Sequence, residues 1–459
     1  MRNGFGSFWL DSTVDKGTPR PRLEDDVHAD YVIVGAGYTG LWTAYWLARE
    51  SPGARIVILE QDRVGYGASG RNGGWITGKT VGLRKNLVKS ARGREAVLEM
   101  EKYCHKAVFE IADLFETNGI DIGAARSGWM QIARTESELA RLRHHVEDDY
   151  SWGLVDDDIR LLGGKETRDR INVPGAVGAI YSPYSVRMNP AKLAYGLAKL
   201  CTDLGVTIYE NSRVESLHDG TATTSRGSAS GEMVVLATEG YTSQLPGMKR
   251  DLLPMISSMV VTAPLSDEEW SKIGWENSEC MSGAQHMYFY SQRTADGRIA
   301  LGGRGMPYRF GSRLDENGRL DRRTQRQLTS TLRGLFPQVA LEFEHSWCGV
   351  LGVTRDWSPF LDVQRVQKLT RVGGYAGQGV TSAYVAGRSV TDLLLDRDTE
   401  LTRSSWVRPL PGKWEPEPVR WIGSNAMYGM YRVADRIERR RGGPETSIVG
   451  TVANKLAGR

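Results

Sequence analysis

The sequence has no uninterrupted apolar run of the roughly 18 residues that a membrane-spanning helix needs. Its N-terminal stretch, MRNGFGSFWLDSTVDKG, lacks the charged head and apolar core of a secretory signal. The chain has only four cysteines in 459 residues, widely spaced and without a CxxC pair. Cysteine metal sites and a secreted disulfide scaffold are therefore disfavoured. We predict a soluble, cytoplasmic protein.

An excess of charge of one sign is also absent. The chain has 59 Lys and Arg against 55 Asp and Glu, a net charge of +4, and so slight a balance gives no indication of nucleic-acid binding. Histidine is scarce, and the adjacent pair His144 and His145 lacks the i, i+4 spacing of helical zinc ligands. We predict neither a nucleic-acid partner nor a bound metal. The 40% hydrophobic content is sufficient for the cores of two or three domains.

Glycine is abundant, with 53 residues, and three glycines form a recognisable turn. The stretch DYVIVGAGYTGLWTAYWL begins as a β-branched, apolar strand and continues as a helix predicted from Thr39 to Glu50. Gly35 permits a tight turn, Gly37 lets the backbone approach a pyrophosphate, and Gly40 lets the helix pack on the strand. The phosphates would lie at the N-terminus of the helix. The turn therefore predicts a dinucleotide site.

A second predicted strand, RIVILE, ends at Glu60, 20 residues after Gly40. A carboxylate at this strand tip accepts hydrogen bonds from ribose hydroxyls and would repel a 2′-phosphate, so NADP is disfavoured. The alternative is that the glycines only make a tight turn. The motif does not distinguish a nicotinamide dinucleotide from a flavin one.

The next loop, RVGYGASGRNGGWITG, favours a flavin. Its glycines surround Ser69, Arg71 and Asn72, so it offers many backbone amides and one cation beside the first phosphate site. The alternative is a flexible surface loop, against which the apolar Trp75 and Ile76 argue. We predict that this loop wraps around the cofactor.

Four segments, in this order, resemble one flavoprotein superfamily. They are VIVGAGYTGLWTAYWL, GASGRNGGW, VVLATEGYTS and VGGYAGQGVTSAYVAGRSVTDLLL. Together they resemble the FAD-dependent D-amino-acid oxidase superfamily, and with the FWLDS leader they look nearest to its γ-glutamylputrescine oxidase and glycine or sarcosine oxidase branch. The resemblance implies FAD as the cofactor.

The last segment also has a physical interpretation of its own. Residues Val372 to Val380 form a glycine-dense turn that leads into a predicted helix, with Thr381 or Ser382 in its first turn. A helix N-terminus directed at the flavin ring would stabilise the negative charge of the reduced flavin. The alternative is an ordinary helix with glycines at its start.

The motifs and the resemblance together predict the residues that bind FAD. They are Gly35, Gly37, Tyr38, Thr39, Gly40, Glu60, Gln61, Gly67, Ala68, Ser69, Arg71, Asn72, Gly73, Gly74, Val214, Ala237, Thr238, Gly240, Gly349, Gly377, Gln378, Gly379, Val380 and Thr381.

The order of predicted elements favours an α/β fold with a discontinuous, Rossmann-like FAD-binding domain around a parallel sheet, and an α+β substrate domain that contains its own β-sheet. A helix with Asn189 as N-cap and Pro190 in its first turn and a hairpin at TADGR are among these elements. The predicted units are a leader at 1–29, the FAD-binding domain at 30–82, 185–245 and 351–400, the substrate domain at 83–184 and 246–350, and a C-terminal tail at 401–459.

The tail combines a proline-rich stretch with an amphipathic helix predicted from about Val419 to Arg441. Apolar residues recur in it at helical spacing, and arginines close it. The apolar positions are Trp421, Met427, Tyr428, Tyr431, Val433 and Ile437. The helix either packs on its own domain or contacts a membrane surface or a partner protein.

The superfamily resemblance implies oxidation of an amine. A hydride would pass from the carbon that bears nitrogen to the flavin, the imine would hydrolyse, and dioxygen would be reduced to hydrogen peroxide. Two alternatives stay open. One is a flavin-dependent amine or amino-acid dehydrogenase that passes electrons to a quinone or another acceptor, and the other is a non-catalytic dinucleotide-binding regulatory protein.

One departure from the resembled pattern concerns the carboxylate anchor. Relatives often carry an arginine in a WAGLRP-like segment, where this chain has WCGVLG with Leu351 in place of the arginine. Arg304 or Arg355 would supply the anchor instead. The alternative for each is a structural ion pair, such as Arg355 with Asp356.

The remaining substrate-site predictions concern aromatic and cysteine side chains. Tyr288 and Tyr290 alternate along one strand face and would form an aromatic wall for an amine cation, or would pack in the core. Cys348 lies near the region where sarcosine oxidase relatives attach flavin, and an inert buried thiol is the alternative. The candidate catalytic and substrate-cavity residues are thus Tyr288, Tyr290, Arg304 and Arg355.

Overall fold

The computed structural model describes residues 1–13, 17, 19–82, 84–89, 92–314 and 317–457. Its strands, in chain order, are β1 (Arg2–Asn3), β2 (Val27–His28), β3 (Tyr31–Val34), β4 (Ile56–Leu59), β5 (Trp75–Thr77), β6 (Ala125–Arg126), β7 (Trp129–Ala133), β8 (Arg160–Gly163), β9 (Gly178–Ser182), β10 (Ser185–Arg187), β11 (Thr207–Tyr209), β12 (Val214–His218), β13 (Thr221–Thr224), β14 (Ser228–Ser230), β15 (Met233–Leu236), β16 (Leu253–Thr262), β17 (Cys280–Gly283), β18 (Phe289–Arg293), β19 (Ile299–Gly303), β20 (Phe343–Val353), β21 (Phe360–Gln364) and β22 (Leu369–Gly373).

Its helices are α1 (Phe8–Ser12), α2 (Tyr38–Glu50), α3 (Arg84–Leu87), α4 (Gly93–Thr117), α5 (Glu136–Ser151), α6 (Gly164–Arg170), α7 (Pro190–Asp203), α8 (Asp267–Ile273), α9 (Arg322–Leu335), α10 (Gly379–Leu394), α11 (Val419–Arg441) and α12 (Ile448–Leu456). Short 3₁₀ helices lie at Ala68–Gly70, Glu239–Gln244 and Phe310–Ser312.

A six-stranded sheet, in the order β11-β4-β3-β15-β22-β21, carries the N-terminal glycine turn. The strands from β11 to β22 run parallel, and β21 pairs antiparallel with β22 at one edge. All four residues of β4 are buried, as expected for parallel strands covered on both faces. The predicted α/β fold with a parallel sheet is confirmed.

Helices cover one face of this sheet, and a second sheet covers the other. Helix α2 packs against both α7 and α10, and a Cβ on Gly387 of α10 would lie 2.8 Å from the main chain of Trp42. As predicted, Asn189 caps α7, since its side chain accepts hydrogen bonds from two backbone amides and Pro190 follows it. The opposite face packs against the four-stranded sheet β12-β13-β14-β2 through Val32 and Ala222.

A nine-stranded sheet, in the order β1-β20-β16-β19-β18-β17-β7-β9-β8, forms the other large layer. Strands β16 and β20 pair antiparallel, from Leu253 opposite Val353 to Thr262 opposite Phe343. The predicted hairpin is closed by the Thr294 amide, which donates to the Arg298 carbonyl at 2.9 Å.

The two faces of the nine-stranded sheet meet different partners. One face packs against α9 through Val260 and Leu328. The other carries Met259 and Trp347, and its Trp347 ring lies 5.9 Å from that of Trp9 in α1. We call the second face the inner face, because it is turned toward the helices of the parallel sheet.

The predicted leader does not stand apart from the two sheets. Strand β1 pairs with β20 of the nine-stranded sheet, and β2 pairs with β14 of the four-stranded sheet. Strand β20 runs through the predicted boundary between residues 350 and 351. The domain boundaries themselves stay a prediction.

The predicted C-terminal helix forms as α11, but part of its predicted apolar face is wrong. Trp421, Val433 and Ile437 are exposed. The buried residues are Arg420, Tyr428, Tyr431, Ala434 and Glu438. Charged side chains occupy two of these positions because each forms hydrogen bonds and ion pairs there. Within the described ranges, no helix is long and apolar enough to span a membrane.

Candidate active site

A cavity lies at the carboxyl ends of the parallel strands, where loops after β3, β4, β15 and β22 meet strand β20. This edge is where ligands bind in open α/β sheets. The predicted cofactor residues that line the cavity are Gly35, Gly37, Tyr38, Thr39, Glu60, Gln61, Gly67, Ala68, Ser69, Asn72, Val214, Ala237, Thr238, Gly377, Gly379 and Val380.

Other predicted cofactor residues do not belong to the cavity lining. They are Gly40, Arg71, Gly73, Gly74, Gly240, Gly349, Gln378 and Thr381. Several of them lie behind the lining residues and support them. Contact of these residues with the cofactor stays a prediction.

The N-terminal glycine turn has little room for side chains. Gly35 has φ of 106°, and a Cβ there would lie 2.8 Å from the Ala237 carbonyl oxygen. A Cβ on Gly40 would lie 2.0 Å from the Gly35 carbonyl oxygen. Helix α2 begins directly at the cavity, where the Tyr38 amide donates to Ser69 Oγ at 2.8 Å. The positive end of α2 therefore borders the cavity, which fits a phosphate-bearing ligand.

Glu60 lies in the cavity wall, just after β4. Its Oε2 accepts a hydrogen bond from the Ala36 amide at 2.8 Å, and its Oε1 accepts one from the Asp62 amide at 3.0 Å. Burial raises the pKa of this carboxyl to about 7. Because each carboxylate oxygen has a second acceptor position, Glu60 fits a role in binding hydroxyl groups while it also shapes the glycine turn.

Arg71 is buried and binds protein groups instead of facing the cavity. Its Nη1 donates to the Cys348 carbonyl at 3.3 Å, and its guanidinium lies 4.2 Å from the Tyr66 ring centroid. Trp347 Nε1 donates to the Arg71 carbonyl at 3.0 Å. Arg71 thus ties the cofactor loop to β20.

The same loop also packs closely against strand β18. A Cβ on Gly73 would lie 2.7 Å from Tyr290 Cδ2, and one on Gly74 would lie 1.9 Å from Gln292 Nε2. Gln292 Nε2 also donates to the Gly73 carbonyl at 2.7 Å. The two glycines therefore allow the loop to lie against the inner face of the nine-stranded sheet.

Glu239 is a cavity residue that sequence reasoning missed. Its backbone has φ of 45°, and its Oε1 accepts hydrogen bonds from the Gly374 and Tyr375 amides at 3.1 and 3.0 Å. Burial raises the pKa of its carboxyl to about 7. Glu239 joins the turn after β15 to the glycine-dense turn after β22. The available signal was an acidic residue at the end of a buried strand, in ATEGYTS.

Further cavity residues were also missed, and they are mostly aromatic or aliphatic. They include Tyr66, Arg213, Tyr241, Gln244, Leu245, Val350, Tyr375 and Ala376. Tyr66, Tyr241, Tyr375 and Ala376 lie within the quoted glycine-rich segments but were not selected from them. The others lie outside those segments, and their position at the cavity depends on the folded chain.

The late glycine turn leads into α10 as predicted. Gly374 and Gly377 have φ of 84° and 108°, and Thr381 lies in the first turn of the helix. Among the described residues, the buried Thr381 Oγ1 has no hydrogen-bond partner. This hydroxyl does not reach the cavity, but Gly379 and Val380 at the start of α10 line it. The positive end of α10 therefore fits a polar or anionic group of a bound cofactor.

Three of the four predicted substrate-cavity residues lie on the inner face. Tyr290 pairs with Gly302, which is opposite the inner-face residue Met259, and side-chain alternation then places Tyr288 and Arg304 on the same face. Tyr290 Oη lies 2.7 Å from Ser257 Oγ. Burial raises the pKa of Tyr290 to about 12, so its hydroxyl is protonated at neutral pH.

Arg355 lies elsewhere. Its Nε donates to Glu415 Oε1 at 2.9 Å on the surface. The ion pair between Arg355 and Asp356 that was one sequence-based alternative is wrong, because Arg408 binds both Asp356 oxygens at 2.7 and 3.0 Å. The bridge between Leu361 and Arg408 brings the C-terminal segment to this place.

Arg304 is 9% exposed and is surrounded by neutral groups. Its Nη2 donates to Tyr288 Oη at 3.0 Å, and its Nη1 donates to Tyr428 Oη and lies 3.9 Å from Met255 Sδ. The Trp357 ring centroid is 5.9 Å away. Among the described residues, Arg304 forms no ion pair with a carboxylate.

Arg304 and the side chains that contact it lie beside the first cavity. Met255 pairs with Leu351, which lines the cavity. Met255 and Tyr428 also share an apolar cluster with Ala376, which lines the cavity as well. The inner face thus places a buried guanidinium beside the late glycine turn.

Cys348 does not line this first cavity. It lines a second cavity, which lies between β16 and the start of α11. Its Sγ lies 3.6 Å from the Arg319 carbonyl oxygen. This position favours the buried structural thiol over covalent attachment of a cofactor in the first cavity.

Several known proteins are similar to this chain in sequence and in fold. The probable oxidoreductase OrdL of Rhizobium meliloti is 27% identical over 86% of this chain and 90% of its own length. The γ-glutamylputrescine oxidoreductase of Escherichia coli is 25% identical over 84% of this chain and 88% of its own length. The crystal structure of glycine oxidase from Geobacillus kaustophilus superposes with a TM-score of 0.67 at 21% identity, over 81% of this chain and 96% of that one.

Residues 30–393 match the profile of the DAO family, described as FAD dependent oxidoreductase. The match confirms the predicted family, the predicted FAD cofactor and the predicted enzyme class, a FAD-dependent oxidoreductase of the family to which amine and amino-acid oxidases belong. Cytoplasmic localisation stays a prediction. The chain belongs to the DAO family of FAD-dependent oxidoreductases.

Proposed function

We propose that this enzyme oxidises the C–N bond of a primary or secondary amine that carries a carboxylate, as an amino-acid derivative does. In the proposed reaction the amine loses two electrons and two protons to give an imine, and water converts the imine into a carbonyl compound and a free amine or ammonia. Dioxygen accepts the two electrons and two protons and becomes hydrogen peroxide.

The observation that carries this proposal is the buried Arg304 guanidinium without an ion-pair partner among the described residues. A buried charge is costly unless it is paired. Arginine also binds carboxylates through two parallel hydrogen bonds. A substrate carboxylate would therefore offset part of the free-energy cost of burying the Arg304 charge, and it would fix the orientation of the amine.

The residues that line the first cavity would hold FAD, which would supply the two-electron acceptor. The protein residues bind and orient the substrate on the inner face. Tyr290 is held by Ser257, and its ring meets Trp75 edge-on, with centroids 6.4 Å apart. Its neutral phenol and the rings of Tyr288 and Trp357 would provide an apolar, aromatic environment. Such an environment favours binding of an amine and excludes water.

The names of the relatives support the substrate class. One is a γ-glutamylputrescine oxidoreductase, others are sarcosine oxidase subunits, and another is a glycine oxidase. Each of these three compounds combines an amine with a carboxylate. Glycine and sarcosine differ by a methyl group on nitrogen, and in γ-glutamylputrescine a longer chain separates the terminal amine from the carboxylate. The proposal therefore extends to the class and not to one compound.

Oxygen consumption by the purified FAD-loaded enzyme tests the reaction. Sarcosine, glycine and γ-glutamylputrescine are each compared with an amine that lacks the carboxylate, namely dimethylamine, methylamine and putrescine. We expect at least one carboxylate-bearing amine to give one hydrogen peroxide per dioxygen consumed, with much less activity on its counterpart. Equal activity on both members of every pair would contradict the proposal.

An amine dehydrogenase that reduces a membrane quinone is a second candidate, and the exposed side of α12 favours it. Ile448, Val452 and Leu456 are exposed at i, i+4 and i+8, and Arg439–Arg441 end the helix that precedes α12. Apolar stripes beside basic residues are typical of helices that lie on anionic membranes. Slow reoxidation of the reduced enzyme by dioxygen, together with fast reoxidation by a soluble quinone, would favour this candidate over the oxidase.

The place of Glu60 in the cavity gives a prediction for FAD affinity. We expect Glu60→Arg to raise the Kd for FAD by about 10- to 100-fold, because arginine cannot accept hydrogen bonds and a hydrogen bond to a charged group contributes about 1.5–3 kcal/mol. Titration of the apoprotein with FAD, followed by flavin fluorescence, measures this change.

Asp62→Arg is the matched control for the Glu60 variant, since it makes the same change of charge two residues away, outside the cavity lining. We expect its Kd for FAD to stay within about threefold of the wild-type value, which corresponds to less than about 0.7 kcal/mol. The assignment of Glu60 would be wrong if both variants bound FAD equally well.

A further inference from the structure

Helix α11 lies outside the segment that matches the family profile, which ends at residue 393. Even so, its Tyr428 reaches the inner face of the nine-stranded sheet and accepts a hydrogen bond from Arg304. The C-terminal tail therefore contributes a side chain to the border of the proposed substrate cavity.

Two side chains of α11 hold the helix next to Arg304. Arg432, one helical turn after Tyr428, donates its Nη2 to the Gly305 carbonyl at 2.8 Å. Asp435 accepts hydrogen bonds from the amides of His286 and Met287 at 2.8 and 2.9 Å. These contacts attach the helix to the two chain segments that carry Arg304 and Tyr288.

Glu438 fixes the following turn of α11. It forms an ion pair with Arg141 at 2.6 Å and lies 3.0 Å from His286 Nε2, and it accepts the Ser447 amide at 2.9 Å. Against the effect of burial, these hydrogen bonds lower the pKa of Glu438 to about 2. One nitrogen of His286 and one carboxylate oxygen each of Asp435 and Glu438 lie within 4.8 Å of one another. Arg141 and backbone amides already bind the carboxylate oxygens. The cluster therefore has a structural role, which is to attach α11.

We infer that α11 completes the substrate site and that Tyr428 is a positioning residue, which together with Tyr288 orients the Arg304 guanidinium toward the carboxylate of the substrate. This inference rests on the proposed function, because it takes Arg304 as the carboxylate anchor.

The chemistry of the two tyrosines supports this role. A free arginine side chain has many rotamers, and fixing it in one of them costs conformational entropy. Hydrogen bonds to two phenols restrict these rotamers before the substrate binds. Unlike a carboxylate, a phenol is neutral, so it orients the guanidinium without neutralising its charge, and the charge remains available to an anionic ligand.

The tail would contribute to substrate specificity within the family. Residues from the matched segment would form the FAD site, whereas one wall beside the carboxylate anchor would come from the tail. Relatives with a different C-terminal segment would then differ in their preference for the anionic part of the substrate while keeping the same cofactor chemistry.

Tyr428→Phe tests the inference, because it removes the hydroxyl and keeps the ring. The readout is the Kd of acetate for the FAD-loaded enzyme, followed by the change in flavin absorbance. We expect the Kd of acetate and the KM of carboxylate-bearing amines to rise by about 3- to 10-fold, the effect of one hydrogen bond. We expect kcat and the KM of the amines without a carboxylate to stay within twofold of wild type.

Tyr431→Phe is the matched control, since it removes a phenol hydroxyl from the same side of the same helix, next to His286. We expect it to bind acetate as the wild type does. A merely structural role of Tyr428 would instead change kcat, FAD content and both classes of substrate together, and that result would overturn the inference.

Arg304→Met separates the inference from the proposed function. If acetate binding is lost in Arg304→Met but unchanged in Tyr428→Phe, the inference is wrong and the carboxylate anchor stands. If acetate binds neither to the wild type nor to any variant, or binds equally to the wild type and Arg304→Met, the anchor and the inference are both wrong. Weaker binding in Tyr428→Phe and much weaker binding in Arg304→Met support both.

Discussion

Replacement of Arg304 with methionine is expected to lower kcat/KM for a carboxylate-bearing amine by about 30-fold or more. Removal of one partner of a buried, hydrogen-bonded charge pair costs about 2–5 kcal/mol, and each 1.4 kcal/mol corresponds to a factor of ten. Methionine has a similar length and no charge, so it leaves the apolar contacts with Met255 and Trp357 largely in place.

The effect should depend on the substrate. An amine without a carboxylate gains nothing from Arg304 in the wild type, so we expect its kcat/KM to change by less than about threefold, or roughly 0.7 kcal/mol. Steady-state kinetics on matched pairs of amines measure both values. The variant should retain FAD, because Arg304 lies outside the cofactor cavity lining.

Arg355→Met is the control, because it removes an arginine that the sequence proposed for the same role. Arg355 is about half exposed and pairs with Glu415 on the surface, and such pairs contribute little to stability. We expect its kinetics to be nearly those of the wild type. An equal loss in both variants, or a large loss only in Arg355→Met, would contradict the assignment of Arg304.

Substitution of Gly40 by alanine is expected to weaken both cofactor binding and the fold. The added Cβ would lie 2.0 Å from the Gly35 carbonyl oxygen and 3.1 Å from Ile33 Cγ2. The first contact is with main chain, which cannot rotate away, so α2 must move from β3. Overpacking of this kind costs about 1–3 kcal/mol or more, and the displacement moves the α2 N-terminus away from the position that suits a phosphate.

We expect the purified Gly40→Ala variant to bind FAD at least about tenfold more weakly, the result of a loss of only 1.4 kcal/mol at the turn. Its thermal unfolding midpoint should also fall by several degrees. Absorbance of the bound flavin per protein chain and a thermal melt measure the two effects.

Gly423→Ala is the matched control for this substitution. Gly423 also lies inside a helix, α11, but a Cβ there would meet nothing within 4 Å. Because alanine favours a helix over glycine by about 0.5–1 kcal/mol, this variant should be slightly more stable than the wild type and should retain FAD. If Gly40→Ala behaved in the same way, the close packing of α2 on the glycine turn would not be required for FAD binding.

The parallel sheet was predictable because its strands are buried on both faces. Strand β4 is an apolar run followed at once by Glu60, and α2 follows a glycine turn with a known spacing. Helix α7 was predictable from its cap, since Asn189 and Pro190 suit only the start of a helix. In these places the local sequence alone determines the structure.

The substrate site was less predictable, because it depends on contacts between distant parts of the chain. Arg304 and Arg355 were equivalent in the sequence. In the folded chain the register of β18 and β19 places Arg304 on the inner face, whereas Arg355 pairs with Glu415 on the surface. The buried face of α11 could not be predicted from apolar spacing, because two charged residues are buried in it. Glu438 pairs with Arg141, and Arg420 donates to the Lys249 carbonyl, both far away in sequence. Glu239 was missed for the same reason, since its partners follow β22.

Anaerobic reduction of the bound FAD by an amine is the most direct test of the central claim, which is that the enzyme takes electrons from a carboxylate-bearing amine held at Arg304. The measurement is the loss of the flavin absorbance band in the wild-type enzyme on addition of sarcosine, glycine or γ-glutamylputrescine without oxygen. We predict that at least one of these amines bleaches the flavin, and that its counterpart without the carboxylate does so far more slowly. An enzyme with bound FAD that none of them reduces, or that both members of a pair reduce at the same rate, would contradict the claim.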